Sequence, residues 1–212
     1  MKFGGQQIIV PAGRARLSGI LAVPEKAGGV VLFAHGSGSG RMSPRNRFVA
    51  ERLQSGGLAT LLIDLLTEEE AEDRRKVFDI DLLTDRLLAA AEWLAANPST
   101  EGFRLGYFGA STGAGAALQA AARSPSSVAA VVSRGGRPDL AAPYLPKVTA
   151  PTLLIVGGWD EAVIELNREA YELLTCTKDL AIVPGATHLF EEPGKLEQVA
   201  DLALRWFVRY LA

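Results

Sequence analysis

The chain has 212 residues, 48% of them apolar and 22% charged, with 22 Gly, 11 Pro, a single Cys and a formal net charge of −2. That composition excludes a disordered, collagen-like or disulfide-framework chain, and the length suits one α/β domain spanning residues 1–212. Balanced charge gives no footprint for nucleic acid or an acidic membrane, and no apolar run is long enough to span a bilayer. No apolar leader stands in Met1–Arg16, so a soluble cytoplasmic protein without nucleic-acid or membrane partners is expected. Oligomeric state is not legible in the sequence.

In chain order, Gln7–Val10 and Arg16–Val23 predict two strands around a turn at Pro11-Ala12-Gly13. Gly29–Ala34 is a continuous apolar run, as in a strand buried on both faces. Ser43-Pro44 predicts a capped helix that stops at Gly56-Gly57, and Leu58–Ile63 predicts the next buried strand. Thr67–Lys76 is a charge run, read as a solvated loop or helix face, with a flap over a site as the alternative. Ile80–Ala96 has helical periodicity and ends before Asn97-Pro98. Strands are then predicted at Phe103–Phe108, Val128–Val132, Pro151–Val156 and Leu180–Val183. Helices are predicted at Ser111–Arg123, from about Glu161 to Leu174, and at Leu196–Leu211. About eight strands, the last six alternating with helices, imply a mostly parallel sheet with helices on both faces. The link from Val132 to Pro151 has room for a turn and a short helix but not for a lid domain.

The chemistry points to Gly109-Ala110-Ser111-Thr112-Gly113, at a strand-to-helix junction. A serine on so sharp a turn takes a strained backbone, and its neighbours two positions away must be small. The helix that follows directs its positive end at the reacting carbon. Such a serine needs a base, and the base needs an acid to orient it. The chain has two histidines. His188 lies in the loop after the last strand, and Asp160 follows the strand before it in Gly157-Gly158-Trp159-Asp160. All three stand past the carboxyl ends of strands predicted to be parallel, where open α/β sheets place their sites. Taken singly, Asp160 could be only a helix cap and His188 only a surface residue. For the oxyanion, the glycine-dense loop His35-Gly36-Ser37-Gly38-Ser39-Gly40 offers the Ser37 amide, and Thr112 offers the second amide. His35 itself is read as a structural hydrogen-bonding residue.

These segments, Gly-Ala-Ser-Thr-Gly, Gly-Gly-Trp-Asp, Ala-Thr-His and His-Gly-Ser-Gly, resemble an α/β-hydrolase over nearly the whole chain. Size and the missing lid resemble the dienelactone-hydrolase-like branch. The resemblance implies an eight-stranded sheet and hydrolysis of carboxylic esters through an acyl-enzyme. No cofactor is expected, and two His without a Cys pair give no metal-ligand spacing. Ser111 would be nucleophile, His188 base and Asp160 its acid partner. Two positions depart from dienelactone hydrolases: Ser111 stands where they carry cysteine, and Ala34-His35-Gly36 where they carry a priming glutamate. The likeness is therefore to the fold of that branch more than to its reaction.

Competing patterns are weaker. Gly109–Gly115 also fits the nucleotide loop of short-chain dehydrogenases, but it follows about five strands and lacks a downstream Tyr-x-x-x-Lys pair. Gly36–Arg41 begins like a dinucleotide fingerprint but has Arg41 where the third glycine belongs. Asp64, which ends a strand, is read as a turn or hydrogen-bonding residue, and Cys176 as a semi-buried small residue. A thioesterase or acyltransferase would use the same triad, and a binding module could keep the fold without the chemistry. Arg134 and Arg137 could hold an anionic substrate group, or could pair with an acid such as Asp139. Arg41, Arg45 and Arg47 are read as a solvated helix face. Trp159 could line the substrate pocket or sit in the core. The lidless architecture suggests an open pocket for short or modest acyl groups of a small-molecule ester.

Overall fold

The computed structural model describes residues 4–212. Strands β1 (Gln6–Ala12) and β2 (Ala15–Ala22) form a hairpin around Gly13-Arg14, and β3 (Gly29–Ala34) leads to helix α1 (Pro44–Ser55). Strand β4 (Ala59–Ile63) is followed by three helices, α2 (Glu68–Glu72), α3 (Arg74–Val77) and α4 (Ile80–Ala96). Then come β5 (Arg104–Ala110), α5 (Thr112–Arg123), β6 (Val128–Arg134), a 3-10 segment (Pro138–Lys147), β7 (Thr152–Gly157), α6 (Glu161–Leu173), β8 (Lys178–Val183) and α7 (Lys195–Leu211).

The strands form one eight-stranded sheet in the order β1-β2-β4-β3-β5-β6-β7-β8. Strand β2 runs antiparallel to both its neighbours, and every pairing from β4 to β8 is parallel. This is the α/β-hydrolase arrangement, and no lid domain interrupts it among the described residues. Side chains alternate across the central strands. Val30, Leu32, Leu61, Tyr107 and Val131 face one core with α4 and α5. Val31, Phe33, Leu62, Phe108 and Val132 face the other with α1 and α7. Double coverage explains why β3, β4 and β7 are buried throughout. No described helix is long and apolar enough to cross a membrane.

The carboxyl edge of the sheet extends further than the apolar runs. Strand β6 continues through Ser133 and Arg134, both buried, and β5 through Gly109 and Ala110. Polar side chains end a hydrophobic pattern before they end a ladder of backbone hydrogen bonds. The charge run folds into α2 and α3. Thr67 and Glu70 form a reciprocal capping box on α2, and Glu70 also pairs with Arg86 at 3.0 Å.

Candidate active site

Ser111 takes φ 51° and ψ −123° between β5 and α5. A non-glycine residue in this region is strained by about 1–3 kcal/mol and persists only where its surroundings hold it. Its N–H donates to Arg134 O at 3.3 Å, and its carbonyl accepts from Arg137 N and Ala114 N, both at 3.0 Å. The flanking glycines leave no room for a side chain. A Cβ on Gly109 would lie 2.4 Å from Ala114 Cα, and one on Gly113 would lie 2.2 Å from Ala34 O. Gly36 closes the other side, where a Cβ would come within 2.9 Å of Ser111 Cβ. Ser111 is thus held at the head of α5 with its side chain making no capping bond.

Asp160 occupies the cap position of α6, yet its side chain makes no cap bond. Instead Oδ2 lies 2.6 Å from His188 Nδ1. The helix-cap reading of Asp160 is therefore set aside by geometry. With Nδ1–H donating to the carboxylate, Nε2 is left as the acceptor. The two loops meet because Gly157 has no side chain: a Cβ there would lie 2.4 Å from Ala186 O. Trp159 N–H also donates to Ala186 O at 2.9 Å. The His188 ring rests against Gly135, whose φ is 50° and where a Cβ would sit 3.5 Å from Nδ1. Gly135 follows Arg134, the residue that accepts the Ser111 amide, so Ser111 and His188 flank the same two residues. No hydrogen bond joins Ser111 Oγ to His188 in this geometry. Such catalytic contacts commonly tighten only around substrate.

The oxyanion loop is anchored from below. His35 is half-buried, its Nε2 accepts from Leu65 N at 3.0 Å and its Nδ1 lies 2.9 Å from Gly36 O. Two such partners require the neutral ring, and burial pushes its pKa below the usual histidine value, against the opposing pull of Gly36 and Asp64. Asp64 is the strand-end hydrogen-bonding residue expected, accepting from the Arg41 amide at 2.6 Å and from its guanidinium. The Ser37 amide is engaged differently from expectation, since it donates to Thr112 Oγ1 at 3.1 Å. The Thr112 hydroxyl thus ties the loop to the head of α5, a role the sequence reading missed. The Thr112 amide stands in the first turn of α5, where helix N–H groups have no intrahelical partner. A cavity of about 750 Å³ opens beside this loop, its lining including Ser37, Thr112, Arg16, Asp64, Thr67 and Glu68. The charge run therefore presents one face to solvent and another to this cavity.

The arginines divide. Arg137 forms a bidentate pair with Asp139, at 2.8 and 2.7 Å, so for it the ion-pair reading holds. Arg134 has no carboxylate partner, is 8% exposed, and its Nε is buried without a hydrogen bond. Its guanidinium lies 6.0 Å from the centre of the Phe190 ring. Burial, with the nearby Arg45 adding to it, lowers its pKa to about 10. A desolvated cation–π contact contributes about 2 kcal/mol, less than the several kcal/mol that burying an unpaired ion costs. Phe190 is itself strained, with φ 57°, and buried at the end of the His188 loop. Trp159 is 66% exposed beside Gly185, which excludes the core reading for it. Arg41 pairs with Asp64 rather than lying on a helix, and Arg45 pairs with Glu191 at 2.9 Å.

Comparison with known proteins decides the family. The chain matches the dienelactone hydrolase family over residues 17–207. It belongs to that family. A solved structure named as dienelactone hydrolase, from Anabaena variabilis, is 59% identical and superposes with a TM-score of 0.96 over 99% of both chains. Est1E from Butyrivibrio proteoclasticus shares the fold at 17% identity, with a TM-score of 0.83 over 97% of this chain and 98% of that one. Two curated Mycobacterium tuberculosis proteins, from strains CDC 1551 and H37Rv, are 59% identical over 97% of this chain, and each is named "Putative phosphoribosyl transferase". The chain spans about half of their length, 46%. In this family member Ser111 occupies the strained turn between β5 and α5.

Proposed function

We propose that the protein hydrolyses carboxylic esters through an acyl-enzyme, with Ser111 as nucleophile, His188 as base and Asp160 as its orienting acid. The observation that carries this reading is the 2.6 Å Asp160–His188 contact placed beside the strained Ser111 turn. His188 Nε2 takes the Ser111 proton as Oγ attacks the carbonyl carbon, and the carbonyl π electrons move onto oxygen. The Thr112 amide, and the Ser37 amide on exchanging its bond to Thr112 Oγ1, stabilise that oxyanion. Collapse expels the alcohol, which takes the proton from His188. Water then attacks the acyl-enzyme with His188 again as base, releasing the acid and restoring Ser111. Asp160 stabilises the imidazolium in both halves without itself being protonated.

The cavity beside the oxyanion loop falls within the range of small-molecule sites, so it accommodates more than an acetyl group. Trp159, exposed next to Asp160, would touch a substrate that reaches over the Asp160–His188 pair. The Mycobacterium name concerns proteins about twice as long, and the present reading rests on the triad. Hydrolysis of p-nitrophenyl esters from acetate to octanoate, by the native protein and Ser111→Ala in parallel, tests it. Turnover in the native protein should vanish in Ser111→Ala while the circular dichroism spectrum is kept. Equal turnover in both would overturn the assignment. Acyl thioesters run beside the oxygen esters separate a thioesterase from an esterase.

A further inference from the structure

Arg134 is the cation that the triad does not use. It is buried, it has no carboxylate partner, and it ends β6 directly opposite Ala110, the residue before the nucleophile. Its carbonyl holds the Ser111 amide, so the backbone of Arg134 and the reacting serine are fixed relative to one another. Its side chain leaves the sheet on the α1 and α7 side, where it meets the Phe190 ring and the charge of Arg45. Arg45 has its own Nε buried without a partner, while its outer nitrogen reaches the exposed Glu191. Arg45 also lies in the first turn of the twelve-residue helix α1, so the positive end of that helix dipole adds to the two guanidinium groups. Two guanidinium groups and the first turn of α1 thus meet at the adjacent residues Phe190 and Glu191, which follow His188, and among the described residues Glu191 is the carboxylate paired with Arg45.

We infer that Arg134 and Arg45 form an anion subsite beside the triad, and that the ester cleaved carries a phosphate monoester group. The inference rests on the hydrolase reading for its substrate but not for its binding. A carboxylate would neutralise Arg134 alone. A phosphate dianion would pair with both guanidinium groups once the exposed Glu191 swings away from Arg45, and arginine suits its bidentate geometry. Without an anion, Glu191 offsets Arg45 while the Arg134 charge stays unpaired in low-dielectric surroundings. A bound anion would supply the missing partner. The strained Phe190 backs Arg134 and sets the direction of its guanidinium, which makes Phe190 a positioning residue for the same subsite.

The test uses Ser111→Ala as the parent, so binding is read without turnover and a failure of the hydrolase reading leaves it intact. Phenyl phosphate and phenylacetate are titrated at pH 8 by calorimetry, into the parent and into the parent carrying Arg134→Met, Arg134→Lys or Arg45→Met. Phenyl phosphate should bind the parent at least tenfold more tightly than phenylacetate. Arg134→Met should weaken phenyl phosphate tenfold or more while raising Tm in the absence of anion, because an unpaired buried charge has gone. Arg134→Lys should keep part of the affinity, and Arg45→Met should weaken binding several-fold, which also serves if Arg134→Met does not fold. Absence of phenyl phosphate binding to the parent, or affinity unchanged in Arg134→Met and Arg45→Met, overturns the subsite. Equal affinity for the two anions overturns the phosphate assignment. A lowered Tm in both Arg134 variants makes Arg134 a structural residue and overturns its role as a ligand.

Discussion

At the scale of single residues, Asp160 and His188 show how a side chain's partner decides its role. Asp160 stands where a helix cap belongs, and both readings were open from the sequence because loop contacts between distant strands leave no local pattern. Its oxygen reaches His188 instead, and Asp160→Asn should lower kcat by about 10⁴ by favouring the wrong imidazole tautomer, as stopped-time ester assays can measure. The fold, and the amount of soluble protein, should be unchanged. His35 carries a second prediction. Its folded pKa is depressed by burial, so the unfolded chain binds a proton that the native state refuses. Its contribution to stability is present above the unfolded value, about 6.5, and is lost as pH falls below that value towards the folded one. Thermal unfolding at pH 7.5 and 5.5 should show a smaller drop for His35→Gln than for the native protein. An equal or larger drop in the variant would mean that His35 is not the neutral ring described. Arg134 and Arg137 looked equivalent in the sequence, and the structure separates them by the bidentate bond of Arg137 to Asp139 and the burial of Arg134.

At the scale of elements, most of the architecture was legible because each central strand is an unbroken apolar run and each helix is punctuated. Pro44 and Gly56 bracket α1, and Asn97-Pro98 closes α4, as the sequence indicates. Strand ends were less legible. Pro11 pairs with Arg16 on the edge strand β1, where a missing N–H is tolerated, so the turn falls at Gly13-Arg14 rather than at Pro11. Strand β8 begins at Lys178, two residues before its apolar stretch, because it is an edge strand that is buried on one side only. The close docking of α5 on β3 gives the prediction at this scale. Gly113→Ala would put a methyl 2.2 Å from Ala34 O and 2.5 Å from His35 O, both of them backbone. Neither can move without shifting β3 or the oxyanion loop, so destabilisation of about 1–3 kcal/mol or more is expected, with activity lost alongside. Urea unfolding with the midpoint of native protein, together with full ester turnover, would contradict that account of the elbow.

For the molecule as a whole, the sheet brings together groups that lie far apart in the chain by ending its parallel strands at one edge. Ser111 follows β5, Arg134 ends β6, Asp160 follows β7 and His188 follows β8. Ser111, Asp160 and His188 were legible as candidates because the chemistry sets their residue types and this fold sets their Ser-Asp-His order. The Thr112–Ser37 bond, the positive φ of Phe190 and the isolation of Arg134 were not, since each depends on which loops touch once the sheet has formed. The cavity beside the oxyanion loop was not legible either, because part of its lining, Thr67 to Glu69, comes from the charge run that folds into α2. Covalent labelling tests the central claim most directly. Incubation with a fluorophosphonate followed by intact-mass and peptide analysis should give one adduct, on the peptide bearing Ser111, and none in Ser111→Ala. An unlabelled native protein, or an adduct that persists in Ser111→Ala, would contradict the assignment of Ser111 as an activated nucleophile.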